Sequence, residues 1–297
     1  MTAAAWRDSR PVTDAHHHLW DLSVRPQPFL DSDATFAPLR RPYLLSDLAP
    51  QAAAAGVIST VVVQTVTAPG ETTDLLALAA ASPLIGAVVG WTDLTAPDVA
   101  DEIARLRAAP GGQYLTGLRH PLLTEPDPDW LSLPVVRRGL AAVAAAGLTF
   151  DLVLRPGQLP AATAAAERLP ELTFVLDHLG NPDVTADGPL DPVWNSAFPS
   201  FAAVSGTVGK LSGLAVDAAA GDRDRQLARL RRYAGVAIEA FGPERLMFGS
   251  DWPMSTLAAP YPEVVGTGRE LIAGLSGPEQ AAILTGTAHR VYGTMAP

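Results

Sequence analysis

Two kinds of hydrophobic pattern alternate along the chain. Short apolar runs rich in Val, Ile and Leu are typical of buried strands, and the Ala- and Leu-rich segments between them carry apolar residues at helical spacing. The alternation predicts eight strands, each followed by a helix. The predicted strands cover residues 12–18, 59–65, 84–94, 115–122, 148–154, 172–180, 206–215 and 245–251, and the predicted helices cover residues 45–55, 71–81, 97–108, 134–146, 158–169, 192–204, 222–241 and 262–275.

Eight strand–helix units are the pattern of a closed (β/α)8 barrel, the TIM barrel, in which crossover helices join parallel strands. An open, doubly wound α/β sheet is the alternative, but such a sheet carries a Gly-rich turn after its first strand. Here that position holds His16-His17-His18-Leu19-Trp20. We therefore predict an α/β fold of the TIM-barrel class.

Two segments fall outside the repeating units. Residues 19–43 are too long for an ordinary strand-to-helix connection and are rich in proline, so we expect a long loop over the barrel mouth. Residues 278–292 come after the eighth unit and predict a helical C-terminal appendage that packs on the barrel. We expect residues 1–297 to form one domain, with the barrel itself at 12–275.

Composition narrows the chemistry and the partners. Cysteine is absent, so a thiolate nucleophile is excluded and any metal ion must be held by His and carboxylates. The net charge of -10 argues against nucleic acid and favours a small-molecule substrate. With no apolar span of membrane length and no signal-like N-terminus, we expect a cytoplasmic protein without a membrane partner. The sequence gives no indication of the oligomeric state.

Half of the six histidines lie in one short stretch at the predicted first strand. Alternate side chains of a strand share a face, so His16 and His18 would project together while His17 turns to the opposite side. Two converging imidazoles are typical of a catalytic or metal-binding site.

The carboxyl ends of the strands carry the chemistry of a TIM barrel. His178 ends the sixth predicted strand and Asp251 ends the eighth, so both can meet His16 and His18 at the mouth. This set can hold a single divalent ion, zinc being the best match, with an open position for water. It can also work without metal, with Asp251 as the base and imidazoles polarising a carbonyl. Both alternatives stay open at this point.

Other polar and aromatic residues near strand ends are candidates for substrate binding. Adjacent strand residues point to opposite faces, which favours Arg119 over its neighbour His120 as an inward group and directs Asp177 away from His178. A lone histidine is often structural, a lysine is often a solvated flank, and tryptophans are often core residues. The candidates for substrate contact are Arg119, His120, Gln64, Trp20, Trp91 and Lys210.

Taken together, five motifs resemble the amidohydrolase superfamily, and within it the branch that contains sugar lactonases and the 2-pyrone-4,6-dicarboxylate lactonase. The sugar lactonases of that branch include L-fuconolactonase and L-rhamnonolactonase. The resemblance covers nearly the whole chain. The motifs are DAHHHLW at residues 14–20, GLRH at 117–120, LDHLGNP at 176–182, KLSGL at 210–214 and FGSDWP at 248–253.

The resemblance implies a (β/α)8 barrel that hydrolyses a cyclic ester. By position, His16 and His18 would be the first-strand pair, His178 the later barrel histidine, and Asp251 the aspartate that activates water. Two-metal members of the superfamily have a histidine on the fifth strand, which this chain lacks at 148–154, so the resemblance implies at most one metal ion.

We therefore expect a hydrolase that opens a small lactone, most simply a sugar lactone. A metal-dependent decarboxylase or amide hydrolase on the same barrel is the second hypothesis. A barrel that binds a small ligand without turning it over is the third, and the complete set of three histidines and one aspartate argues against it.

Overall fold

Eight parallel strands form one sheet whose spatial order follows the sequence, from β1 to β8. The structure is a computed structural model that describes residues 10–68, 70–185, 187–214 and 223–293. The strands are β1 (Val12–His17), β2 (Val57–Val63), β3 (Ile85–Gly90), β4 (Leu115–Pro121), β5 (Thr149–Val153), β6 (Phe174–Leu176), β7 (Thr207–Leu211) and β8 (Leu246–Phe248). Every adjacent pair along this order is parallel.

The sheet closes between β1 and the segment that follows β8. The backbone amide of Asp251 donates to the carbonyl of His16 at 2.8 Å, and the amide of His18 donates to the carbonyl of Trp252 at 2.6 Å. A parallel bridge also joins His17 to Trp252. The predicted TIM barrel is therefore confirmed, and the open doubly wound sheet is excluded.

Helices surround the strands close to the predicted positions. The helix α4 shows why, because it starts at Pro134, which suits a first helical position, and buries Val136, Leu140 and Val143 along one face. The helices are α1 (Leu45–Ala54), α2 (Glu71–Ala81), α3 (Val99–Ala108), α4 (Pro134–Ala145), α5 (Leu159–Arg168), α6 (Pro192–Ala203), α7 (Arg223–Phe241), α8 (Tyr261–Leu271), α9 (Gly277–Ala281) and α10 (Thr287–Tyr292). The predicted ends at Ala215 and Asp222 lie outside the described residues.

The largest error in the predicted strands is at the sixth. The expected strand 172–180 is reduced to Phe174–Leu176, and the chain turns sharply over Asp177–Gly180. His178 and Leu179 have φ values of 54° and 52° there, which no strand adopts. The sequence does not reveal this turn, because residues 172–180 combine apolar and polar residues in an order that a strand could also have.

The barrel interior is filled by small and branched side chains from alternate strand positions. Val61 and Val63 come from β2, and Ala87 and Val89 come from β3, as expected for one face of a strand. Tyr292 of α10 joins the same cluster. The C-terminal segment thus sends a side chain into the barrel, beyond the surface packing we predicted. The single-domain organisation of residues 1–297 stays a prediction.

The long segment after β1 folds into a compact loop. It contains two short 3-10 helices, Pro28–Asp31 and Ala34–Leu39, and buries Leu30 and Leu39. Two backbone hydrogen bonds between Trp20 and Tyr43, of 3.0 Å and 2.8 Å, join its ends. The Tyr43 ring contacts the Trp252 ring, with centroids 5.3 Å apart, so the loop packs on the segment after β8.

Among the described residues, no helix is both long enough and apolar enough to cross a bilayer.

Candidate active site

Four side chains from three strand ends converge at the carboxyl end of the barrel. His16 lies in β1 and His18 directly follows it, whereas His178 follows β6 and Asp251 follows β8. Asp251 Oδ1 lies 3.7 Å from His16 Nε2, 3.5 Å from His18 Nε2 and 3.9 Å from His178 Nε2. One carboxylate oxygen therefore lies within 4 Å of three imidazole nitrogens.

His17 takes no part in this cluster. Its Nε2 lies 3.0 Å from Thr60 Oγ1 of the neighbouring strand β2, on the opposite side from His16 and His18. Burial lowers the pKa of His17 to about 3, so the ring is neutral. The alternation of side chains along β1 explains this separation.

Unusual backbone conformations aim two of the four side chains. His178 and Asp251 have φ values of 54° and 57°, in the left-handed region that non-glycine residues rarely occupy. Such conformations persist where the surrounding structure fixes them, and they concentrate at functional sites. Glycine makes room nearby, since a Cβ on Gly213 would lie 2.5 Å from His178 Nδ1.

Asp14 anchors the turn that carries Asp251. Its carboxylate accepts hydrogen bonds from the Ser250 amide at 2.7 Å, the Ser250 hydroxyl at 2.6 Å and the Tyr261 hydroxyl at 3.0 Å. Burial raises the pKa of Asp14 to about 6, against the opposing effect of these bonds. Asp14 thus connects β1 to the residue directly before Asp251.

A layer of buried charges lies against His16. Asp177 Oδ1 is 3.2 Å from His16 Nδ1 and 3.0 Å from Lys210 Nζ, and Asp177 Oδ2 is 3.1 Å from Arg119 Nη1. Lys210 Nζ also lies 2.6 Å from Asp151 Oδ2. Two cations therefore balance two carboxylates, as burial of charge requires.

The structure corrects two sequence-based expectations in this layer. Asp177 does not point away from His178, because β6 ends before both residues and the left-handed turn directs both toward His16. Lys210 is fully buried, and its ammonium contacts Asp151, Asp177 and His16 in place of the predicted substrate.

Burial controls the protonation of the cluster. It lowers the pKa of His16 well below its usual value, that of His18 to about 3, and that of His178 to a lesser degree. Burial raises the pKa of Asp251, although His178 and Arg119 oppose the shift. For Asp177, burial would raise the pKa, but Lys210, His16 and Arg119 together hold it well below its usual value. Neutral imidazoles thus surround a carboxyl whose basicity is increased.

The other candidates for substrate contact lie in different surroundings. Arg119 is buried, and its guanidinium donates to the backbone carbonyl of Gln64. In return, the side-chain Nε2 of Gln64 donates to the backbone carbonyl of Arg119 at 3.2 Å. These two residues brace β2 against β4. Trp20 is 4% exposed, and its indole nitrogen donates to the Arg41 carbonyl at 2.8 Å inside the long loop. The contacts of Trp20 are therefore internal.

His120 and Trp91 form one wall at the ends of β4 and β3. The Trp91 indole donates to His120 Nδ1 at 3.2 Å, and His120 Nε2 lies 2.7 Å from Glu125 Oε1. The His120 ring stacks on Trp130, with centroids 4.2 Å apart and planes inclined by 8°. Both ring nitrogens are thus used within the protein, so any substrate contact of His120 is through the ring.

The converging groups match the donor set of a divalent metal site. The potential ligand atoms of His16, His18 and Asp251 lie within 4.8 Å of one another, and so do those of His16, Asp177 and His178. Neutral imidazoles and a carboxylate are the ligands that zinc accepts in the absence of cysteine. The residues present therefore fit one divalent ion.

Comparison with known proteins decides the family. The profile of the Amidohydrolase family matches residues 13–294, nearly the whole chain. The chain belongs to this family. It is 36% identical over 291 residues to an L-fucono-1,5-lactonase from Burkholderia multivorans, covering 96% of each protein. The resemblance inferred from the five motifs is confirmed.

Solved structures of relatives agree with this assignment. An amidohydrolase from Burkholderia multivorans with bound zinc superposes with a TM-score of 0.89 at 35% identity, covering 96% of this chain and 99% of that one. A putative 2-pyrone-4,6-dicarboxylic acid hydrolase from Pseudomonas putida superposes with a TM-score of 0.72 at 25% identity, covering 95% and 97%.

Three buried residues of this amidohydrolase were given no role from the sequence, although Asp14 is the first residue of the motif at 14–20. Asp14 and Asp151 lie inside strands, and Tyr292 lies in the C-terminal helix. The signal for Asp151 was available, because a single charged residue in the apolar run TFDLVL needs a buried partner. No comparable signal marks Tyr292, since a tyrosine near a helix end is common on protein surfaces.

Proposed function

We propose that this amidohydrolase hydrolyses a small neutral lactone of the sugar-lactone class. The observation that carries the proposal is the position of Asp251 Oδ1 within 4 Å of three neutral imidazoles. The L-fucono-1,5-lactonase relative, 36% identical over 96% of both proteins, supports the choice of substrate class. A small-molecule partner and a cytoplasmic location are part of the same proposal.

Asp251 is the proposed general base. Burial raises the pKa of its carboxyl, which makes the ionised form a better proton acceptor near neutral pH. It accepts a proton from water as the water attacks the ring carbonyl. The same carboxyl then returns that proton to the leaving alkoxide, directly or by way of the His178 imidazole 3.9 Å away, and the ring opens.

Arg119 is the proposed group that stabilises the developing oxyanion. Its guanidinium is buried beside His16, with Nη1 3.5 Å from His16 Nε2. Its Nε is buried and has no hydrogen-bond partner in the part of the chain that the structure describes. A buried donor of this kind is available to a substrate oxygen, and a preorganised donor acts strongly where water is excluded.

We propose that His16, His18, His178 and Asp251 hold one divalent ion, zinc in the first instance. The neutral state of the three rings leaves nitrogen lone pairs for ligation. When bound, such an ion polarises a carbonyl and increases the acidity of water. The zinc in the Burkholderia multivorans structure supports this assignment.

The charge balance of the site favours a neutral substrate over a dicarboxylate. Arg119 and Lys210 are the cations nearest the cluster, and Asp177 and Asp151 already pair with them. Two of the three arginines of the long loop also have carboxylate partners, Arg25 with Asp74 and Arg40 with Asp31, and the third, Arg41, lies 3.9 Å from the centroid of the Tyr43 ring. A diacid would require cationic groups beyond these pairs.

A panel of neutral sugar lactones and diacid lactones, assayed by acid release, tests the proposal. We expect turnover of a neutral lactone and a loss of about 100-fold to 10,000-fold in kcat for Asp251→Asn. Asp93→Asn is the control, because the Asp93 carboxylate is exposed and accepts hydrogen bonds from Thr95, away from the cluster. Undiminished turnover by Asp251→Asn would refute the role of Asp251.

A second arm tests the metal and the competing reactions. Removal of the metal with a chelator should abolish activity, and addition of zinc should restore it. If turnover persists without metal, Asp251 acts with the imidazoles and Arg119 alone. Release of CO2 from aromatic acids, or hydrolysis of amides with no lactone turnover, would instead support the decarboxylase or amide-hydrolase alternative.

A further inference from the structure

A cavity of about 340 Å³ lies between α4 and α5, among the helices that surround the barrel. We call it the outer cavity. Its lining includes Arg137 and Arg138 of α4, Arg168 at the end of α5, and Leu131 of the short 3-10 turn Trp130–Ser132. None of its described lining residues belongs to the candidate active site. Its volume lies in the range of about 300–1,000 Å³ that is usual for small-molecule sites.

The two helices each present one face to the outer cavity. On both of them the lining residues follow the i, i+3, i+4 spacing of side chains that share a helix face. They are Pro134, Arg137, Arg138 and Ala141 on α4, and Ala165, Arg168 and Leu169 on α5. Each face thus combines arginine with an alanine one turn away. A larger side chain at either alanine would fill the space between the helices.

The charge of the outer cavity is opposite to that of the whole chain. The chain has a net charge of -10, yet three arginines and no described Asp or Glu line this cavity. Arg138 Nη2 donates to the backbone carbonyls of Thr95 and Ala96 at 3.0 Å and 3.2 Å, which holds its guanidinium in place.

The other two arginines have no partner of their own. Within the ranges that the structure describes, the side chains of Arg137 and Arg168 form neither an ion pair nor a hydrogen bond. Three cations that line one cavity repel one another unless an anion lies between them. A bound anion would remove this repulsion and occupy donors that the protein itself leaves unused.

We propose that the outer cavity binds a phosphate monoester that carries a small apolar or aromatic body. A phosphate monoester has close to two negative charges near pH 7 and three terminal oxygens, so several guanidinium groups can share it. The planar fork of arginine matches the geometry of phosphate. A monocarboxylate has one charge and two oxygens, which a single arginine can satisfy, and it therefore uses this arrangement less well.

The apolar part of the lining selects the body of the ligand. Leu131 and Ala165 are buried, and Leu169 is half-buried beside them in the lining. Removal of apolar surface from water stabilises a complex in proportion to the area covered. An ester with a ring should therefore bind more tightly than inorganic phosphate, which can use the arginines alone.

Isothermal titration calorimetry with phenyl phosphate as the probe tests the inference without substrate. We expect one site on the protein as purified, and the same site after treatment with a chelator, because the outer cavity is separate from the proposed metal ligands. Inorganic phosphate lacks the ring and benzoate lacks the second charge. Both should bind at least about tenfold more weakly than phenyl phosphate.

Substitutions at exposed positions assign the site. Arg137→Gln and Arg168→Gln should each weaken the binding of phenyl phosphate by about tenfold or more, since each removes a charged donor. Ala141→Leu keeps the charge but fills the cavity, so it should weaken binding as well. The controls are Arg231→Gln on α7 and Ala145→Leu at the end of α4, which are exposed and outside the lining and should keep wild-type affinity.

Three results would overturn the inference. Wild-type affinity in Arg137→Gln, Arg168→Gln and Ala141→Leu would show that the probe binds at the barrel mouth or elsewhere. An equal loss of affinity in Arg231→Gln would show attraction by the overall charge alone. Absence of binding to the wild-type protein would show that the outer cavity does not take this class of ligand. All five substitutions are at exposed residues, so the variants should fold as the wild type does.

Discussion

Arg119 Nη1 lies 3.1 Å from Asp177 Oδ2, and both side chains are buried where β4 and β6 end. Removal of one partner from a buried ion pair leaves the other charge without compensation, which costs about 3–5 kcal/mol. We predict that Arg119→Met lowers the free energy of unfolding by this amount, as measured by denaturant titration.

The control for Arg119 is an exposed ion pair of the same type. Arg105 on α3 pairs with Glu102, and its side chain is 65% exposed. Exposed pairs contribute about 0–1 kcal/mol, so Arg105→Met should change stability by no more than that. Equal losses in the two variants would contradict the importance of the Arg119–Asp177 pair.

Gly213 should be intolerant of any side chain for a reason specific to His178. Gly213 has φ of +70°, and an added Cβ would lie 2.5 Å from His178 Nδ1. Gly147 has φ of +66° with nothing within 4 Å of the added Cβ. We predict that Gly147→Ala costs only about 1–2 kcal/mol of backbone strain. Gly213→Ala should lose activity in addition.

The measurement for this pair is kcat together with the unfolding free energy. Displacement of His178 should reduce kcat of Gly213→Ala by at least about tenfold, whereas Gly147→Ala should keep wild-type kcat. Retention of full activity by Gly213→Ala would show that His178 can move without consequence.

Glu71 should give the fold a pH dependence of its own. The Glu71 carboxylate is buried and accepts hydrogen bonds from the Thr65 and Val66 amides at 3.1 Å each. Burial raises the pKa of Glu71 above its usual 4.5. The folded protein therefore binds this proton more tightly than the unfolded chain does, and the contribution of Glu71 to stability falls as the pH rises from about 4.5 through the raised pKa.

Glu71→Gln isolates this contribution. The amide cannot ionise, so the decline in stability between pH 4 and pH 7 should be smaller in the variant when unfolding is measured across that range. The free energy of unfolding of the variant should also be about 1–3 kcal/mol lower at neutral pH. The side-chain NH2 group of the introduced glutamine then faces a backbone N–H group, and both are donors. Parallel stability curves for the two proteins would rule out titration of Glu71.

The His120 wall should affect substrate binding more than the chemical step. Its ring nitrogens already bond to Trp91 and Glu125, and its ring stacks on Trp130. We predict that His120→Ala raises KM about tenfold and changes kcat by no more than about threefold. His289→Ala is the control, because His289 contacts Thr13 away from the mouth. A drop in kcat at constant KM would contradict this prediction and show that His120 takes part in the chemical step.

Periodicity predicted the barrel because each strand and helix of this chain has a clear apolar face. The same reasoning brought His16, His18, His178 and Asp251 together, since strand ends of one barrel meet at one mouth. It misplaced Asp177 because it assumed regular strand geometry through residue 180, whereas His178 is left-handed. The alternation of side-chain directions along a strand therefore predicts the orientation of a residue only as far as the strand continues.

Lys210 illustrates a second limit of the sequence. A lysine after a short apolar run is compatible with a solvated flank, a substrate contact or a buried ion pair. Only the register of β7 between β6 and β8 brings it against Asp151 and Asp177, which are 59 and 33 positions earlier in the chain. Such pairings follow from tertiary packing, so no local pattern contains them.

The contacts that form the site join distant parts of the chain. Ser250 and Asp14 are 236 positions apart, Lys210 and His16 are 194 apart, and Tyr292 and Asp151 are 141 apart. Contacts between remote segments form slowly, because much chain entropy is lost before they are gained. During refolding, the active-site arrangement should therefore appear only in the last phase, after helical structure is established and when the final helix docks.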